Sequence, residues 1–136
     1  MGEPMPHKFY RSPLRFVAAA MSVVAAAAHA PLITSHLREA PYLGVLFVGF
    51  TGACLVQAVL LVRADSRLVW TAVAMTCAAA VAAYGWSRSF GLPQAPDDIG
   101  DWSNPLGLVS VASESIGLLV RTSEAAADCA GAESTL

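Results

Sequence analysis

At 136 residues, 56% of them hydrophobic and 13% charged, with a mean hydropathy of +0.57, the chain is too apolar for an ordinary soluble domain and too short for two. Its formal charge of −2 hides an asymmetry, because Lys8, Arg11, Arg15, Arg63, Arg67 and Arg121 fall at one set of apolar-segment ends and only Arg38 and Arg88 at the other. The basic residues are scattered singly without interleaved aromatics, which argues against a nucleic-acid interface, and the three cysteines (Cys54, Cys77, Cys129) lack the spacing of a zinc site or a disulfide framework.

Residues 1–13 carry Pro4, Pro6 and Pro13 with His7, Lys8 and Arg11, and read as a short disordered cytoplasmic arm. From Leu14 to about Thr34 the chain becomes apolar and alanine-rich. Ala28-His29-Ala30 resembles a signal-peptide cleavage site, but Pro31 would occupy the first position after the cut, and the apolar run continues through Leu32 and Ile33. The stretch is therefore read as a retained first span, with Pro31 as the point where a kink would form.

Ser35–Pro41 is a tight polar connection to the most hydrophobic stretch of the chain. Leu43–Val62 contains no charged residue, and its twenty residues correspond to ~30 Å of helix at ~1.5 Å per residue, the thickness of a bilayer core. Arg63–Arg67 makes a short turn, which forces the next helix to run antiparallel to this one. A third span runs from Leu68 to about Trp86, with Trp70 near one end and Tyr84 and Trp86 at the other, as interfacial aromatics are placed. Ser87–Pro105, with three prolines, two glycines and three aspartates, is too rich in turn formers for a helix and reads as the outer loop.

The last apolar run, Leu106–Val120, contains Ser110, Ser113, Glu114 and Ser115. Extended to residues 103–122, it is long enough to cross if neighbouring helices shield its polar face. Residues 123–136 read as a disordered cytoplasmic tail. The expected architecture is all-α, an integral membrane antiparallel four-helix bundle with spans at about 14–34, 43–62, 68–86 and 103–122. Both termini are then cytoplasmic, in the cell membrane, which leaves six of the eight basic residues inside.

Alanines in the first and third spans, and Gly49, Gly52 and Ala53 in the second, supply the small residues on which membrane helices pack. On the fourth span Ser110, Ser113, Glu114, Gly117 and Arg121 recur at offsets of three and four, so they share one face that should point into the bundle. Glu114 is the prime candidate, because an intramembrane carboxylate is costly by ~2.5–3.5 kcal/mol and therefore faces a partner, water or substrate. Counting along the helices puts His29 ~8 Å and Glu114 ~13 Å inside the outer interface, close enough in depth to meet. Such a pair can share a proton, bind a metal or form a structural hydrogen bond. His36, Glu39, Arg88, Asp97, Asp98 and Asp101 are candidates for the outer mouth. A divalent metal held by His29, His36 and one of the aspartates is a minor alternative, and no other cofactor is expected.

The run Ser87-Arg88-Ser89-Phe90-Gly91-Leu92-Pro93, followed by Asp97-Asp98, Gly100, Trp102 and Glu114, resembles small four-span integral membrane proteins of high-GC bacteria. The likeness covers about residues 29–120, including His29, Tyr42-x-Gly44 and Gln57. It implies four spans, and since that group has no established function it implies no activity. Small multidrug exporters are similar in length and span number and also use an intramembrane glutamate, but here the acid lies in the last span, not the first.

No nucleophile–base constellation or phosphate loop points to an enzyme. The sequence reads as a non-enzymatic accessory or scaffold subunit of a membrane complex, contacting lipid, other membrane proteins or its own copies. The alternative is an outward-facing module that binds or transports an ion, a proton, a metal or a small molecule at His29 and Glu114.

Overall fold

The computed structural model describes residues 12–64 and 66–133, so the basic arm expected at 1–13 lies outside them except for Ser12 and Pro13, as do the last residues of the tail. The fold is an all-α bundle of four helices: α1 (Leu14–Glu39), α2 (Pro41–Arg63), α3 (Arg67–Phe90) and α4 (Pro105–Glu133), with one 3-10 turn at Pro96–Asp98. Three of them, α1, α2 and α3, are long and apolar enough to cross a bilayer, the make-up of a membrane protein.

The helix boundaries follow from local chemistry. Ala40 alone separates α1 from α2; the proline after it disfavours helical backbone, so Ala40 sits at φ −142° and ψ 81° while its N–H still closes α1 on the His36 carbonyl at 2.8 Å. Pro41 then opens α2 at a position where no N–H is needed. Ser66 caps α3, its hydroxyl accepting from the Val69 N–H at 3.3 Å. Asn104 does the same for α4 by accepting from the Gly107 N–H at 3.2 Å, again with proline following.

Two elements are longer than the sequence pattern implies. α1 continues past Thr34 to Glu39 with Pro31 inside it, so the polar Ser35–Glu39 segment is helix and the connection shrinks to one residue. α4 continues past Thr122 to Glu133, through residues whose composition suggests disorder. This segment is largely alanine, with no glycine before Gly131 and no proline, so nothing in it stops an established helix. Ser12 beside α1 also hydrogen-bonds Glu124, tying the extension back to the bundle.

α1 is the hub, packed along α2 on one side and α4 on the other, and α3 rests on α4. At the end near the 64–66 turn, Ala18 and Ala19 of α1, Ala58 and Leu61 of α2, and Val69, Trp70 and Val73 of α3 form the main core, where Leu61 is 0% exposed. Ala25 and Ala26 continue it against Cys54 and Phe50. The closest approach is between α1 and α2 at Gly44, where a Cβ would lie 2.5 Å from Leu37 Cγ and 2.7 Å from the Leu37 backbone nitrogen. Only glycine fits there. Outward, the bundle is apolar: Val45 and Leu46 on α2, Leu68 and Met75 on α3, and Leu108, Ile116 and Leu119 on α4 are all exposed.

Candidate functional site

α2 and α3 meet near their shared turn, and between their opposite halves lies a cavity of about 780 Å³ that all four helices line. Its walls are mostly apolar, with Leu43, Phe47 and Phe50 from α2 facing Ala79, Ala80 and Ala83 from α3. Val45, Leu46 and Met75 line it while also being exposed on the outside of the bundle, so the cavity opens sideways between α2 and α3.

The back wall, from α1 and α4, carries the polar centre. The Ser110 hydroxyl donates to Glu114 Oε1 at 2.8 Å, one helical turn away. Its oxygen lies 3.4 Å from His29 Nδ1, which also lies 2.9 Å from the Ala25 carbonyl. Since Ser110 spends its only hydrogen on Glu114, the Nδ1–H of His29 is the donor shared between the Ala25 carbonyl and the Ser110 oxygen. His29 and Glu114 therefore converge, but through Ser110. Glu114 is 2% exposed, and among the described residues no arginine, lysine or histidine forms an ion pair with it. Ser113 turns its hydroxyl to the Ser110 carbonyl at 2.7 Å, and the His29 ring is flanked by Phe50 and Phe47, with centroids at 4.5 and 5.2 Å.

Toward the turn end, past Thr76 on the cavity lining, the Gln57 amide donates to Thr76 Oγ1 at 2.7 Å and bridges α2 to α3. Below that bridge a small void is lined by Cys54, Cys77, Ser113 and Gly117, with Glu114 forming part of the wall between void and cavity. Both cysteines there are free thiols.

At the loop end, residues 91–104 fold back over the cavity. Gly91 makes the reversal at φ +77°, where a Cβ would also meet Ile99 at 2.9 Å. Asp98 is the anchor: its carboxylate accepts from Arg88 Nη1 at 2.7 Å and from the Ser87 hydroxyl at 3.2 Å, and its carbonyl accepts from Arg88 at 3.1 Å. Arg88 is 9% exposed and lies over the Tyr84 ring, 5.0 Å from its centroid. Tyr42 of α2 donates its hydroxyl to the Pro93 carbonyl, and Tyr84 donates to the Trp102 carbonyl, so the loop is tied to both α2 and α3.

Of the outer-mouth candidates, His36, Arg88 and Asp98 line the cavity. His36 gives its Nδ1 to the Leu32 carbonyl at 2.8 Å and meets the Phe47 ring edge-on at 4.8 Å. Asp101 stands 4.0 Å from Arg88 and adds a weaker charge contact, whereas Asp97 and Glu39 are exposed and away from the pair. Among the described residues no three of His, Cys, Asp and Glu gather as metal ligands, so the His29–His36–aspartate arrangement does not form.

Phe47, Phe50, the Gln57–Thr76 bridge and the place of Ser110 between His29 and Glu114 are the parts that sequence reasoning passes over. Gln57 carried a signal, as one of two clearly polar side chains between Leu43 and Val62, facing a threonine at comparable depth across a short turn. Comparison of the chain with protein-family models, with curated proteins and with solved structures finds no match, so the functional reading rests on the cavity itself.

Proposed function

We propose that this chain is a non-enzymatic binding module of the cell membrane that takes small lipid-soluble molecules into its cavity from the side and engages them at His29, Ser110 and Glu114. The observation that carries the reading is the cavity itself, about 780 Å³ with mostly apolar walls and His29, Ser110 and Glu114 gathered on its back wall. Ligand pockets are typically of roughly 300–1,000 Å³ and combine apolar lining with a few convergent polar groups. The sideways opening between α2 and α3 suits a ligand that arrives through the bilayer. The loop over the far end suits retention.

In this reading α4 is the fourth span. Its exposed Leu108, Ile116 and Leu119 face lipid while Ser110, Ser113 and Glu114 turn inward. Both termini lie in the cytoplasm and residues 91–104 lie outside, in keeping with the positive-inside distribution of arginine. The test is photolabelling in bilayers with a neutral lipophilic aryl diazirine, read by peptide mass spectrometry. Adducts on Glu114 or Ser110 are expected, lost when Ala79→Trp fills the cavity; adducts confined to outward residues such as Leu68 and Leu119 would count against the reading.

A second reading, the accessory subunit, is favoured by Gly52, which is exposed away from the cavity lining and where an added Cβ would meet nothing within 4 Å. Such open small-residue surface suits another membrane helix. Purification in mild detergent checks it, since a protein that always emerges alone and monomeric would count against a subunit role.

A further inference from the structure

We propose that the cavity selects organic monocations with an apolar body, Glu114 serving as the counter-charge. This rests on the cavity being a binding site and adds the charge class of its ligand. Besides Tyr42 and Tyr84, whose hydroxyls are given to loop carbonyls, the titratable groups on the lining are His29, His36, Arg88, Asp98 and Glu114. Arg88 and Asp98 neutralise each other in a 2.7 Å ion pair. Each histidine spends its Nδ1–H on a backbone carbonyl, and neither makes a direct bond to Glu114. Glu114 is then the one acid on the lining without an ion-pair partner, and its hydrogen bond from Ser110 leaves acceptor capacity over.

An anionic ligand has a weaker case. Arg88 Nε is buried without a hydrogen-bond partner, but the guanidinium's charge is already held by Asp98, with Asp101 close by, so an anion would have to displace a carboxylate. A cation on the Glu114 side displaces nothing. Phe47 and Phe50 line the cavity beside His29, and aromatic rings attract positive charge in a water-poor site. The lateral opening restricts entry to cations carried on an apolar body, because a small hydrated ion does not travel through the bilayer core.

The experiment uses two ions of the same shape and apolar surface, tetraphenylphosphonium and tetraphenylborate, titrated calorimetrically into the full chain in zwitterionic-lipid nanodiscs, with empty nanodiscs subtracted. The phosphonium is expected to bind saturably at one site, at least about tenfold tighter than the borate, and Glu114→Gln is expected to remove that preference. Glu114→Gln keeps the size of the side chain and an acceptor for Ser110. Should it nonetheless fail to fold, competition in the parent between the phosphonium and a neutral aryl diazirine for labelling at Glu114 gives the same answer. Equal binding of both ions, a preference for the borate, or an unchanged phosphonium affinity in Glu114→Gln would overturn the inference while leaving the cavity a binding site. Diazirine labelling of Glu114 that neither ion suppresses would overturn it likewise; absence of that labelling would instead remove the cavity reading.

Discussion

Ser110 Oγ has one hydrogen to give, and giving it to Glu114 makes the serine an acceptor toward His29, so one hydroxyl couples two ionisable groups on different helices. The Gln57–Thr76 bridge joins two helices as well, but between neutral groups. The two bonds should therefore differ in worth: Ser110→Ala is expected to cost ~1–3 kcal/mol, because it leaves the buried Glu114 carboxyl short of a partner, and Thr76→Val only about 0.6 kcal/mol, the usual size of an interhelical bond in a membrane protein. Reversible unfolding of both variants in mixed micelles measures this, and equal losses would mean that Glu114 gains nothing special from Ser110. That an acid on the α4 polar face and a histidine on α1 lie at similar depth was legible from counting residues. The serine as go-between was not, because side-chain contact depends on how each helix is rotated about its axis, and an alanine-rich helix such as α1 carries little periodic signal to set that rotation.

At the level of elements, the pairing of α1 with α2 is set by one position. An alanine at Gly44 would overlap backbone as well as side chain of Leu37, and backbone cannot swing aside. Gly44→Ala should destabilise the bundle by ~1–3 kcal/mol, as overpacking does. Gly85→Ala, where an added Cβ meets nothing, should instead stabilise α3 by up to ~1 kcal/mol through helix propensity alone. Thermal melts in detergent compare the two, and a harmless Gly44→Ala would show that the helices can separate there without loss. The helix count and connection order were readable from hydropathy and turn residues. The lengths of α1 and α4 were not, because polar residues such as Ser35, Arg38 and Glu124 are compatible with helix and mark only where the apolar surface ends.

For the molecule as a whole, the sharpest expectation concerns sidedness. The buried Cys54 and Cys77 can be replaced by alanine, which leaves the exposed Cys129 of α4 as a native reporter. A membrane-impermeant maleimide should then fail to label Cys129 in intact cells but react once they are permeabilised, whereas a cysteine placed at Ser103 should label in intact cells. The reverse pattern would invert the topology and place the loop over the cavity in the cytoplasm.

The single residue between α1 and α2 bears on how such a chain enters a membrane. In the proposed topology Ala40 is the only spacer, so α2 cannot leave the insertion machinery while α1 waits elsewhere, and the two move laterally into lipid as a closed hairpin. Little polar chain is carried across with them, chiefly the side chains of His36, Arg38 and Glu39 on the last turn of α1. The second pair differs in that topology, because Arg88 at the end of α3 and the three aspartates before α4 cross as well. Arg88 and Asp98 close into an ion pair there, so the later and more demanding half of biogenesis ends by forming the roof of the cavity.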